Sequence, residues 1–204
     1  MVFSKYIVPI YVKNEGVYKY YGTGFIVNGM LITANHVVKE KLNTYFLYEK
    51  KIYHVDITKM VVIESIGGLL PSNQEYDLFV CKTDISDSDL KLSQIYNKNQ
   101  RCELYAYVLD EEQRSEKEIE NISEDIYLDI YINRDFAINS IDRRLDNCFS
   151  CDYMFKHTNS GAPLFQNGNI VGMLIKDICH FEKYHEGIFI KASHIIQAIE
   201  NNLK

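Results

Sequence analysis

The stretch GTGFIVNGMLITANHVV, residues Gly22 to Val38, decides how the rest of the chain is read. Phe25-Ile26-Val27 and Met30-Leu31-Ile32 are apolar runs separated by Asn28-Gly29. Asn-Gly is the favoured pair for a tight type I′ turn, because both residues tolerate positive φ, so the stretch predicts a β-hairpin. After Ile32 the strand gives way to Thr33-Ala34-Asn35, and His36 falls at a strand-to-loop corner. A lone histidine in such a place is usually structural. Its meaning depends on what the rest of the chain brings to that corner.

The rest of the chain is also strand-like. Sixteen tyrosines, many Ile and Val residues, and short apolar runs cut by turn residues favour β structure throughout. Gln166-Asn167-Gly168-Asn169, between Leu164-Phe165 and Ile170-Val171, signals a second hairpin. At 204 residues and 47% hydrophobic, the chain can bury one large core or two smaller ones that share an interface. The polar stretch Asp84 to Gln100 reads as the linker between two halves, which predicts domains at 1–90 and 91–204. Asp110 to Asp125 carries eight acidic and two basic residues and reads as a solvated loop or short surface helix. Near the end, Ile195, Ile196, Ile199 and Leu203 share one face at helical period, with Ser193 as the candidate N-cap.

Charge and composition narrow the function classes. A net charge of -6 with no basic stripe argues against a nucleic-acid partner. No apolar run approaches the roughly 20 residues needed to span a bilayer, so no membrane partner is expected. The start, MVFSKYIVPIYV, lacks the pattern of a signal peptide. Five cysteines, an odd number, cannot all pair within one chain. Both features point to a reducing, cytoplasmic setting. Cys148-Phe-Ser-Cys151 has CxxC spacing, but a single such pair does not supply a four-ligand zinc site. Scattered structural thiols are the simpler reading, with no metal or cofactor.

Two further stretches bear on His36. Asp77 opens the apolar run Leu78-Phe79-Val80, and Ser160 stands in His157-Thr158-Asn159-Ser160-Gly161-Ala162-Pro163. Taken alone, each reads as a turn residue. Nucleophilic serine chemistry needs a base to take the hydroxyl proton, an acid to hold that base in the right tautomer, and N–H groups to meet the developing oxyanion. His36, Asp77 and Ser160 are the candidates for the first two needs and for the nucleophile.

Together, GTGFIV, LITANHVV, YDLFV and TNSGAPLF resemble the chymotrypsin-like (trypsin-like) serine peptidase family, with His, Asp and Ser in the family's order. Gly187-Ile188-Phe189-Ile190-Lys191-Ala192-Ser193 before the terminal helix is similar to a further family segment. The resemblance implies two six-stranded antiparallel β-barrels followed by a C-terminal helix, with the active site between the barrels. It implies a serine endopeptidase working through an acyl-enzyme on a protein or peptide substrate. His36 would act as base and then acid, Asp77 would orient it, and Ser160 would attack. The N–H groups of Thr158 and Ser160 would form the oxyanion hole. Met154 would floor the pocket for the substrate side chain, with Gly187 on its wall. Ile175, Lys176 and Asp177 would line the strand that pairs with the substrate backbone.

The departures from the family pattern also carry expectations. Thr158 stands where the family has glycine, and a β-branched residue resists the backbone angles that aim this N–H into the hole. Losing one such donor costs on the order of 10²–10³ in rate. Regulation, by substrate or by a protein partner, is therefore expected. The alternative is a catalytically impaired, protease-fold protein that binds peptides or acts as a scaffold. A methionine floor with no acid favours an apolar or uncharged substrate residue, although Asp177 or His157 could enter from the rim. Nothing like the Ile-Val-Gly-Gly start of the digestive members occurs, which argues against activation by clipping.

Overall fold

The computed structural model describes residues 5–38, 43–64, 77–98, 100–109, 126–131, 138–139, 147–151, 159–180 and 184–204. The acidic stretch Asp110 to Asp125 lies outside them. The chain forms two seven-stranded antiparallel sheets and one helix. The first sheet holds β1 (Ile7–Asn14), β2 (Val17–Val27), β3 (Met30–Thr33), β4 (Thr44–Tyr48), β5 (Lys51–His54), β6 (Met60–Glu64) and β7 (Leu78–Lys82), in the order β5-β4-β1-β2-β3-β7-β6. The second holds β8 (Glu103–Leu109), β9 (Ile126–Tyr131), β10 (Ile138–Asn139), β11 (Cys148–Cys151), β12 (Pro163–Gln166), β13 (Asn169–His180) and β14 (Tyr184–Lys191), in the order β10-β11-β14-β13-β12-β8-β9. Helix α1 (Ala192–Asn202) follows β14 directly.

The hairpin signals behave as their chemistry dictates. Asn28 and Gly29 take φ of 49° and 76° between Val27 and its partner Met30. Asn167 and Gly168 take 52° and 75° between Gln166 and Asn169. One further tight turn carries no such signal. Glu49 and Lys50 join β4 to β5 with φ of 46° and 64°, a conformation that costs side-chain-bearing residues energy and that the strand pairing on either side sustains.

The all-β class and the terminal helix are present, but neither sheet closes into a six-stranded barrel. The first is an open half-barrel whose edges stand 12 Å apart, more than twice the roughly 4.8 Å that paired strands require. The cause is local. Between β5 and β6 the chain makes a 3₁₀ turn at Ile57–Lys59, capped by Asp56, whose carboxylate accepts from the Thr58 N–H at 3.0 Å. That turn carries the chain away from β5, and among the described residues β6 pairs with β7 and not with β5. In the second sheet β9 pairs with β8 and β10 with β11, and these two outer strands do not meet among the described residues.

One large cluster of buried apolar side chains draws on both sheets and the helix. Phe25, Leu31 and Phe79 of the first sheet share it with Phe165, Met173 and Ile190 of the second and with Ile195 and Ile199 of α1. The helix begins at Ala192, with Lys191 at the cap position and no side-chain capping bond, so Ser193 lies inside it and does not cap it. Leu203 follows the last helical turn and is 51% exposed, so it drops out of the expected buried face.

The stretch after β7 connects the sheets and is tied to both. Ser88 Oγ donates to the Ile26 carbonyl at 2.6 Å, and Ser93 N–H donates to the Ile170 carbonyl at 2.8 Å. The buried Gln166 amide clasps the Asn97 backbone, accepting from its N–H at 2.6 Å and donating to its carbonyl at 2.8 Å. The CxxC pair is split by the pleat of β11. Cys148 faces the large cluster and Cys151 a second one, so the two thiols point to opposite faces and do not form one binding site.

Candidate active site

His36 sits in a 3₁₀ turn, Asn35–Val37, that leaves the end of β3. The turn is held by the Val37 N–H donating to the Ala34 carbonyl at 3.1 Å, and by the burial of Val37 and Val38. Those two apolar side chains anchor the corner and leave the imidazole 46% exposed. Asp77 directly precedes β7, which pairs with β3, so strand pairing brings the two residues together across 41 positions of sequence. Asp77 is 2% exposed. Its Oδ1 accepts from the His36 backbone N–H at 2.9 Å, its Oδ2 faces the His36 ring Nδ1, and its carbonyl accepts from the Asn35 N–H at 3.3 Å. A carboxylate only accepts, so Nδ1 must carry the proton, and Nε2 is left as the basic nitrogen.

Ser160 lies in the turn that enters β12 and is 8% exposed. The turn is closed by the Ala162 N–H donating to the Asn159 carbonyl at 3.0 Å, and by the Gly161 N–H donating to the Leu174 carbonyl at 2.7 Å. The Ser160 carbonyl accepts from the Thr23 N–H at 2.9 Å, which fastens the turn to β2 of the other sheet. Glycine is required at 161 on two counts. Its φ is +84°, and an added Cβ would stand 2.0 Å from the Thr23 carbonyl oxygen. Gly22 is required by approach alone. A Cβ there would lie 2.8 Å from the Ser160 carbonyl oxygen and 2.8 Å from Val37 Cγ2, so Ser160 and the neighbour of His36 converge on one point.

The convergence stops short of a joined triad. The hydrogen bonds of His36 end on Asp77, and none joins His36 to Ser160 among the described residues. His36 and Asp77 are therefore held together, and among the described residues no hydrogen bond links that pair to Ser160.

No family model matches the chain, and no curated protein matches it. Solved structures do. A scabies mite inactivated protease paralogue, S-I1, superposes with a TM-score of 0.62 at 13% identity, covering 98% of this chain and 94% of that one. The inactive form of the Rv3671c protease gives 0.58 at 14% identity over 98% and 90%, and its active form from M. tuberculosis gives 0.58 at 12% over 98% and 82%. The tobacco vein mottling virus protease gives 0.60 at 14% over 93% and 78%. The chain has the chymotrypsin-like serine-protease fold.

Within that chymotrypsin-like fold the remaining candidates fall as follows. Thr158, Met154 and His157 lie outside the described residues. Ile175 occupies a register shift in β13 between Leu174, which pairs with Phe189, and Lys176, which pairs with Ile188. Ile175 is buried at this bulge, and Lys176 is exposed just beyond it. Asp177 pairs with Gly187, which on its other side pairs with Cys151 of β11. Among the described residues no group of three or more His, Cys, Asp or Glu stands close enough to hold a metal ion. The sequence marked Gly22-Thr23-Gly24 as a strand signature without revealing that Thr23 carries the Ser160 turn. Its only signal was a small residue next to glycine at the start of the hairpin.

Proposed function

We propose that this chain binds an extended peptide on a chymotrypsin-like scaffold, with hydrolysis by Ser160 suspended in this state. The observation that carries this reading is that the hydrogen bonds of His36 end on Asp77, with none to Ser160 among the described residues. The likeness to an inactivated protease paralogue and to an inactive protease form adds support. The peptide would lie along β13 near Ile175, Lys176 and Asp177, with an apolar or uncharged side chain directed to the pocket of Met154 and Gly187.

A second reading, a serine endopeptidase, is favoured by the Asp77–His36 pair itself. Its geometry suits a general base, and a pure binding protein has no need of it. Catalytic hydrogen bonds are often long or misaligned before substrate arrives. In that reading Ser160 Oγ attacks the peptide carbonyl carbon while its proton passes to His36 Nε2, and Asp77 stabilises the imidazolium. The oxyanion accepts from the N–H groups of Thr158 and Ser160. The C–N bond then breaks as Nε2 returns the proton to the leaving amine, and water releases the acyl group by the same route. A bound peptide or a regulatory protein partner would be what joins Ser160 to His36.

A peptide library tests the choice. Incubated with the wild-type chain and with Ser160→Ala, the library should give bound peptides with both and cleaved peptides with neither. Cleavage by the wild type that Ser160→Ala abolishes would overturn the first reading in favour of the second.

A further inference from the structure

We propose that Thr23 is a positioning residue whose hydroxyl, by latching the two sheets together, sets where Ser160 stands relative to His36. The proposal rests on Ser160 and His36 forming the site described above, in either of its readings. Three groups of Thr23 are committed at once. Its N–H donates to the Ser160 carbonyl at 2.9 Å. Its carbonyl accepts from Thr33 Oγ1 at 2.8 Å, on the strand that leads to His36. Its own Oγ1 accepts from the Tyr107 N–H of β8 at 3.1 Å and lies 3.2 Å from the Tyr20 hydroxyl. Thr23 is fully buried.

The sheet topology explains why this hydroxyl matters. Among the described residues β12 pairs with β8 at Leu104 and Glu103, and Tyr107, further along β8, has no strand partner on that side. Side chains take the place of the missing strand. Thr23 Oγ1 receives the Tyr107 N–H, while the Tyr20 hydroxyl donates to the Tyr107 carbonyl at 2.8 Å and Asn159 Nδ2 approaches it at 3.5 Å. Asn159 is the residue next to Ser160. The nucleophile turn, the His36 corner and β8 thus meet on Thr23 and Tyr20. Tyr107 is half-buried, and leaving its N–H without a partner there costs free energy, so the latch holds its geometry. Loss of the hydroxyl frees β2 to shift against β8 and carries Ser160 with it.

The test reads geometry without requiring turnover. Ser160→Cys places a thiol at the nucleophile position, and a neighbouring imidazolium lowers the pH at which a thiol ionises. The pH profile of iodoacetamide alkylation at Cys-substituted position 160, read by peptide mapping so that the native thiols are separated, is compared in three backgrounds. The expected result is a midpoint that moves up by about one pH unit in Thr23→Val, a roughly tenfold slower reaction at neutral pH, with Thr23→Ser restoring the original profile. The same midpoint with threonine and with valine at position 23 overturns the proposal. Should Thr23→Val fail to fold, Tyr20→Phe keeps the ring and removes the second arm of the latch, and the same upward shift is expected. An unshifted profile in that variant overturns the proposal equally. Absence of peptide cleavage by the wild type would count against the endopeptidase reading and leave this comparison intact.

Discussion

Asp77 grips His36 at two points, through the backbone N–H at 2.9 Å and through the ring Nδ1. The double hold fixes both the corner that carries the imidazole and the direction in which the ring faces. A carboxylate that is 2% exposed and engaged in this way is an orienting group in its own right.

That relationship has a spectroscopic consequence. A proton held between Nδ1 and a buried carboxylate is shielded from exchange and shifted far downfield in the NMR spectrum. The wild-type chain should show such a resonance, assigned to His36, and Asp77→Asn should lose it, because the amide offers a donor where Nδ1 needs an acceptor. A spectrum without this signal in the wild type, at acid and neutral pH alike, contradicts the pairing.

Gly161→Ala should destabilise the fold by about 2 kcal/mol or more. The φ of +84° is strained for alanine, and the new methyl would meet the Thr23 carbonyl oxygen at 2.0 Å and Thr33 Oγ1 at 2.3 Å. Urea unfolding of both proteins measures it. A loss under about 1 kcal/mol would mean that the Ser160 turn is not seated on β2 as described.

The first hairpin and the strand after Asp77 were legible in the sequence for local reasons. Asn28-Gly29 fixes a turn by backbone permissiveness, and the run after Asp77 fixes a strand that must pair somewhere nearby. Sheet closure was not legible, because it depends on whether β5 and β6 meet. A single turn capped by Asp56 keeps them apart, and nothing in the apolar pattern records that. The Glu49-Lys50 turn was also hidden, since neither residue type favours positive φ and the strands on either side impose it. The role of Thr23 depends on Tyr107, 84 positions away, and no local pattern links them.

Alkaline pH should weaken the fold through its buried thiols. Burial pushes Cys81 and Cys148 up to about 12 and Cys102 up to about 11, from an ordinary 9.0. The folded chain therefore keeps these protons at pH values where the unfolded chain has released them. Stability from this source is complete below pH 9.0 and is lost as pH rises toward 12. The urea midpoint should fall steadily above about pH 9, and Cys148→Ala should flatten the slope. A midpoint that stays level across that range contradicts the burial of these groups.

Fluorophosphonate labelling of the untreated protein tests most directly whether Ser160 is activated by His36. With the hydrogen bonds of His36 ending on Asp77 among the described residues, the resting chain should give no adduct at Ser160 while it still retains apolar peptides. A stoichiometric adduct on Ser160 that is lost in both Ser160→Ala and His36→Ala would contradict the suspended state and establish a standing endopeptidase.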